Sequence, residues 1–193
     1  MKFYSPILFT AVIFFTNSAL AATCKYHYNN DASKVSWVAF KTPKKVGVNV
    51  AFDKITITPK KLSAKRIEDL VEGSTFTIDT TTVNSKNPER DEKLKNFFFT
   101  SKGKPVLING KVLSFKDNLL EVELKINDSK KNIIMKTSIA DKNFSAIGSI
   151  DVLDFALSEN LGLINEACKE LHEGKTWSDV EIKIESAFEQ KCK

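Results

Sequence analysis

Histidine is nearly absent from this chain of 193 residues, which holds two, and glycine is scarce at seven. General acid–base catalysis leans on histidine, and zinc sites draw on histidine and cysteine clusters, so little is left for either chemistry. So few glycines argue against a loop-built active site. No Gly-rich phosphate cradle, Gly-x-Ser-x-Gly elbow or zinc-hydrolase motif occurs. Charge of one sign is also missing: 29 basic residues face 24 acidic ones, and they are interspersed. The densest basic patch, Lys60, Lys61, Lys65 and Arg66, is followed at once by Glu68 and Asp69. That pattern describes a solvated surface, so no nucleic-acid partner is expected. There is no internal repeat, low-complexity tract or linker.

The one sustained apolar run, Ile7 to Phe15, is broken only by Thr10 and is too short to span a bilayer. It follows Lys2 and precedes Ala19-Leu20-Ala21, a small-x-small cleavage pattern. A signal peptide over residues 1–21 is therefore predicted, leaving one domain over 22–193 with no transmembrane segment. Thr23 before Cys24 disfavours a lipoprotein. Cleavage removes Lys2 and no acid, so 28 basic residues against 24 acidic ones give the mature chain a net charge of +4. The compartment is predicted to be periplasmic (or extracellular), where Cys24, Cys168 and Cys192 should form one disulfide and leave one thiol.

What is abundant is alternation with period two, the mark of half-buried strands. Leu120, Val122, Leu124 and Ile126 alternate with Glu121, Glu123 and Lys125 in the cleanest case. Similar patterns run through Val35–Ala39, Ile55–Ile57, Phe76–Ile78, Ile133–Met135, Phe144–Ile150 and Val180–Ile184, and with 106–115 they make eight strands. Lys116-Asp117-Asn118, Asn127-Asp128-Ser129 and Asp141-Lys142-Asn143 supply short polar turns, which join antiparallel neighbours. A meander with one apolar face loses its exposed edges by closing into an up-and-down barrel. Its interior holds packed side chains or one slim ligand. Two peripheral helices are predicted, over 62–72 and 158–173. The second has Ser158 as N-cap, a Leu161–Ile164–Cys168–Leu171 stripe and Gly174 as C-cap.

Candidate chemistry is sparse. Cys168 and His172 stand four apart on the second helix, a spacing for two metal ligands on one face, but nothing obvious completes the set and Cys168 belongs to the apolar stripe. His27 between Tyr26 and Tyr28 reads as structural. Asp151 and Asp154, near Glu159, fit a strand end better than an acid–base pair. Residues 84–99 stand out: Arg90-Asp91 opens a charged turn that ends in Phe97, Phe98 and Phe99. Three adjacent Phe cannot share one face of a helix or strand. They read either as a capped turn whose aromatics lid the core, with Asp91 as the cap or paired with a nearby cation, or as the frame of a cavity entrance.

The chain resembles the YceI-like family over nearly all of its mature length. Four stretches carry the likeness: Asn29–Ala39 with Ser33, Val35 and Trp37; Asp79–Phe99 with Val83, Asn87, Arg90, Asp91, Leu94, Phe97 and Phe98; Leu124–Ile139 with Asp128, Ser129 and Lys130; and Phe144–Phe155. It departs from the family where Ala32 and Lys93 replace histidines and where Val152 and Leu153 replace an arginine. A helix bearing Cys168 is inserted after Phe155. The resemblance implies a mainly β, eight-stranded antiparallel lipocalin-like barrel that holds a long apolar ligand: a polyisoprenoid, an isoprenoid quinone or a fatty amide. The protein would then be a binding protein, neither an enzyme nor cofactor-dependent, and homodimerisation stays open. The rival readings are a structural or stress-related interaction protein with a side-chain-filled barrel and, behind it, an enzyme.

Strand phase puts Trp37, Phe52, Phe76, Ile78, Met135 and Phe144 inside as cavity lining. Phe97, Phe98 and Phe155 join them as ligand-binding candidates. For the disulfide, Cys192 lies near Cys24 if the first and last strands pair, yet it stands beyond the last apolar residue, Phe188, where chains fray. Cys168 is fixed on a helix, so Cys24–Cys168 is the expected bridge.

Overall fold

The computed structural model describes residues 23–193; the expected signal peptide lies outside them. The described residues form β1 (Cys24–His27), β2 (Lys34–Lys41), β3 (Val46–Phe52), β4 (Ile55–Thr58), β5 (Thr75–Ile78), β6 (Ile108–Lys116), β7 (Leu119–Ile126), β8 (Ser129–Ala140), β9 (Asn143–Asp151), β10 (Thr176–Ala187) and β11 (Glu189–Cys192), plus several two-residue bridges. The helices are α1 (Ile67–Val71), α2 (Pro88–Lys93) and α3 (Ser158–Ala167).

The main sheet is a curled antiparallel sheet in the order β4-β5-β6-β7-β8-β9-β10-β2-β3, with Val83–Asn84 beyond β3. Its two ends are carried by consecutive chain. Residues 46–58 bend at Asp53 and Lys54, so that β3 pairs with β2 and β4 pairs with β5. The Thr80–Thr82 turn stitches the bend: the Thr82 carbonyl accepts from the Asp53 N–H at 3.0 Å, and the Lys54 carbonyl accepts from the Asp79 N–H at 3.1 Å. The main sheet thus has ten strands rather than the predicted eight, because β3 and the Val83–Asn84 bridge join it. A smaller sheet, β11-β1-(Ser63–Ala64), lies outside it.

Hairpin chemistry sets the register. Asp117 and Asn118, the two residues between Lys116 and Leu119, both have positive φ, at 53° and 59°. Such turns match the right-handed twist of the flanking strands, and Asp and Asn tolerate them. Register then turns Leu120, Val122, Leu124 and Ile126 inward, where all four are buried. Glu121 faces out and bonds Ser114 and Asn132. Phase matters because a one-residue slip would put every one of these side chains on the other face.

The apolar interior has two parts. One, around Trp37, Phe52, Phe98, Phe99, Phe155 and Ile164, lies under α2 and α3. The other, around Leu70, Phe115, Leu120, Met135, Phe144 and Phe188, is closed by α1. The helices are shorter than predicted. Ser63 and Ala64 pair with His27 and Tyr26, so α1 starts only at Ile67 and Leu62 is left 81% exposed. Ser158 makes no cap, Leu157 takes the N-cap place, and α3 ends at Ala167 with Cys168 in the C-cap place. Residues 168–174 continue as turns, which leaves Leu171 exposed.

The disulfide expectation is corrected: Cys24 bonds Cys192, and Cys168 is a buried free thiol. The chain end does not fray, because β1 and β11 pair residue for residue from Cys24↔Cys192 to His27↔Glu189. The Thr23 and Lys193 backbones continue the ladder, at 2.9 and 3.2 Å. Cys168 belongs to the interior cluster under α2 and α3, whereas β1 packs Tyr26 into the cluster closed by α1. Cys168 and Cys24 therefore belong to different parts of the interior.

Candidate functional site

The barrel interior contains three chambers in a row. The central one, about 80 Å³, has an entirely apolar wall that includes Trp37, Phe52, Phe76, Ile78, Phe98 and Met135. A second, also about 80 Å³, lies under α2 and α3 and shares Trp37, Phe98, Val152 and Val180 with the first. A third, about 40 Å³, lies towards α1 and shares Val35, Phe76, Val122 and Ile184 with the central one. The single elongated cavity expected from strand phase is therefore pinched twice by side chains common to adjacent chambers.

Of the nine residues singled out in the sequence, six meet at the central chamber. Phe144 lines the third instead. Phe155 is buried at 2% exposure within the core and lines no chamber described here. Phe97 points outward, at 38% exposure. Phe99, not among the nine, takes its place: it is edge-on to Trp37 at 5.8 Å and to Phe52 at 5.4 Å.

The reason is a π-helical turn. Residues 94–98 form it, and an i→i+5 bond closes it: the Phe99 N–H donates to the Leu94 carbonyl at 2.8 Å. The wider turn sets Phe98 and Phe99 side by side on the inner face, edge to face at 5.0 Å. Upstream, the N-cap is Asn87 rather than Asp91: its Oδ1 accepts from the Arg90 N–H at 3.0 Å, with Pro88 in the first turn. Asp91 instead accepts from the Ser85 N–H at 2.8 Å, tying the turn back to the segment before it.

The Trp37 indole N–H is buried without a hydrogen-bond partner, and it does not open onto the central chamber. In the third chamber Tyr28 packs edge-on against Phe188 at 5.2 Å, and burial pushes its phenol up to about 12. The second chamber is different in kind. Its wall adds Lys41, Arg90, His172, Thr176 and Trp177 to the apolar residues. The His172 imidazole is held below its usual range, first by burial and then by the charges of Lys41, Lys93 and Arg90.

The remaining polar candidates have structural partners. Asp151 accepts from the Leu153 N–H at 2.9 Å and from the Ser178 hydroxyl at 2.9 Å, and Asp154 pairs with Lys131 at 3.6 Å. His27 lies in β1, paired opposite Glu189. Among the described residues no group of three or more His, Cys, Asp and Glu could hold a metal ion, and no helix is long and apolar enough to cross a membrane.

The model of the YceI-like domain family matches residues 26–188. Among solved structures, Burkholderia cenocepacia BcnA is similar at a TM-score of 0.57 and 15% identity, covering 82% of this chain and 97% of its own. A polyisoprenoid binding domain from Saccharophagus degradans, implicated in plant cell wall breakdown, matches at 0.57 and 13%, covering 88% of this chain and 99% of its own. A mutant YceI protein of Campylobacter jejuni matches at 0.50 and 15%, covering 77% and 86%. At such identities these likenesses establish a shared fold. No curated protein matches the sequence.

Proposed function

The chain belongs to the YceI-like domain family, and from that premise we propose that it is an exported binding protein that holds one elongated apolar chain, such as a polyisoprenoid, along the barrel. The observation that carries this reading is the row of three chambers, each sharing wall residues with the next, with a central wall free of polar lining. The polyisoprenoid-binding description of the Saccharophagus degradans domain supports the same ligand class. Each CH₂ moved from water into such a wall gains roughly 0.8 kcal/mol, so ten supply about 8 kcal/mol before association costs of several kcal/mol. No reaction is needed to explain the arrangement: the central wall offers apolar contact and no nucleophile or base.

The chambers are small beside the roughly 300–1,000 Å³ of ordinary ligand pockets. An occupant must be slim, and it must push the shared side chains aside to join the chambers. That same smallness favours a second reading, a side-chain-filled barrel that serves as an interaction protein. Native mass spectrometry of protein purified from its own periplasm or secretion medium, followed by solvent extraction, decides between them. The lipid reading expects a co-purifying apolar chain and a rise in melting temperature on reloading it. Protein that carries no lipid, and whose melting does not respond to polyprenols or fatty amides, leaves the filled barrel.

A further inference from the structure

Between Glu92 and Asp117 the chain carries no acid, the longest such stretch among the described residues, and its first fifteen residues, Lys93 to Leu107, hold four lysines. The fold makes a two-sided strip of this part. After the π-helical turn, Thr100 and Ser101 pair with Pro105 and Lys104, and the Val106 N–H donates to the Phe99 carbonyl at 2.9 Å. On the inner side Phe98, Phe99 and Val106 line the central chamber. Their chain neighbours face out: Phe97 is 38% exposed, Leu107 is 60% exposed, and Pro105 is exposed as well.

The tip of the strip projects. Lys102 and Gly103 both have positive φ, at 50° and 75°, as a tight two-residue hairpin turn requires. A Cβ added to Gly103 would meet no atom within 4 Å, so the tip stands clear of the barrel. Lys102 and Lys104 are exposed there, and among the described residues neither forms an ion pair. Only Lys95, at the base of the strip, has its charge met, by Glu92 at 3.4 Å. The basic patch around Lys60 is built differently: Arg66 pairs with Glu68 at 3.4 Å, and Glu68 and Asp69 stand in the first turn of α1. Exposed apolar side chains gain by leaving water, while unpaired ammonium groups want anions and keep their water. A nucleic acid or a purely acidic surface meets only the lysines. The interface of a bilayer with anionic lipids meets both, with an acyl boundary for Phe97, Pro105 and Leu107 and head-group charge for Lys102 and Lys104.

We propose that the strip from Phe97 to Leu107 is a membrane-docking face that seats the barrel on an anionic lipid bilayer. The docking goes beyond lipid binding inside the barrel and does not depend on it. It does give such binding a short route: the backbone that carries the outer face also carries the chamber wall, through Phe98, Phe99 and Val106. A docked bilayer would be separated from the central chamber by that one layer of chain.

Co-sedimentation of the full mature chain with two kinds of vesicle tests it: phosphatidylglycerol mixed with phosphatidylethanolamine, and phosphatidylcholine alone. The anionic vesicles should be bound at least about tenfold more tightly, and raising salt from about 0.05 M to about 0.5 M should weaken that binding. Lys102→Gln/Lys104→Gln should lower the affinity at least about tenfold, whereas Lys102→Arg/Lys104→Arg keeps it. Phe97→Ser/Leu107→Ser should lower it at least about fivefold. Where that pair disturbs the turn and melts early, Leu107→Ser alone should still lower it about threefold. Lys60→Gln/Lys61→Gln takes the same charge from the other basic patch and should change the affinity less than about twofold. No preference for the anionic vesicles, or an equal loss in the Lys60→Gln/Lys61→Gln protein, overturns the docking face. Binding that needs the lysines but ignores the apolar pair overturns the bilayer and leaves an acidic macromolecule as the partner. Polyprenol uptake from detergent without vesicle binding fails this inference alone. Vesicle binding by protein that takes up no polyprenol upholds it and fails the lipid-binding reading.

Discussion

Reducing the Cys24–Cys192 bridge should cost this protein a large part of its stability. The two half-cystines are 168 residues apart in sequence. Closing a loop of that length in the unfolded chain removes entropy worth about 5 kcal/mol at 25 °C in the chain-entropy treatment. For a domain of this size each kcal/mol moves Tm by roughly 2–4 °C, so the reduced protein should melt about 10–20 °C lower. Its denaturant m-value should rise, because an uncrosslinked unfolded chain exposes more surface. Urea and thermal melts of oxidised protein, reduced protein and the Cys192→Ser and Cys168→Ser variants check this. Stability alone could not tell this bridge from Cys24–Cys168, since closure entropy grows only with the logarithm of loop length. The variants can: Cys192→Ser should reproduce the reduced melt, and Cys168→Ser should keep the full response to reductant. A shift of under about 1 kcal/mol on reduction would refute the entropic reasoning, and a Cys24–Cys168 peptide in non-reducing digests would refute the pairing.

Gly110→Ala should destabilise by roughly 1–3 kcal/mol, the usual cost of overpacking, because a Cβ there would run into the cross-strand Phe76 ring; unchanged melting would mean the ring moves freely into the central chamber it lines. Asn87→Ala and Asp91→Ala should each cost about 1 kcal/mol, the first as a lost N-cap and the second as a lost acceptor for the Ser85 N–H; a Phe98 and Phe99 environment unaltered in near-ultraviolet circular dichroism would show that neither holds the π turn. His172 should make stability fall on acidification. Its folded-state imidazole is depressed by burial and by Lys41, Lys93 and Arg90, so below the unfolded value of about 6.5 the unfolded chain takes the proton first. The contribution is whole above that pH and lost as pH falls through the folded value. His172→Gln should flatten this part of a denaturation series between about pH 8 and pH 5.5, and an unaltered slope would rule the residue out as its source.

Much of the barrel was legible because its signals are local. Alternation in β7 fixed which residues turn inward, and Asp-Asn and Asn-Asp pairs fixed where hairpins turn. Strand β3 also alternates, with Val48, Val50 and Phe52 against Gly47, Asn49 and Ala51, but alternation alone does not show which strand it joins. Its role depends on the bend at Asp53, which the Thr80–Thr82 turn holds from nearly thirty residues away. The disulfide was misjudged for a related reason. The residues after Phe188 carry no apolar pattern, but a ladder needs only backbone groups, and β1 supplies them.

The Phe triplet marks the limit of local reading most clearly. Spacing shows that one of three adjacent aromatics must leave the core, but not which one. An α-helical turn of 3.6 residues would place Phe98 and Phe99 about 100° apart around the axis. The wider i→i+5 turn from Leu94 changes that phase, and what selects it lies elsewhere in the chain. Asn160 of α3 donates to the Phe98 carbonyl at 2.8 Å and to the Thr100 carbonyl at 2.9 Å, so a helix some sixty residues downstream satisfies carbonyls that the wide turn leaves free. The same helix supplies Leu161 and Ile164 to the wall of the second chamber, and the turns after it supply His172. One element, α3 with the turns after it, therefore both holds the turn that carries two aromatics and lines the second chamber. Asn160→Ala would test that coupling: loss of both carbonyl contacts should weaken the aromatic circular dichroism signal and the binding of a polyprenol together, and loss of only one of the two would separate the roles.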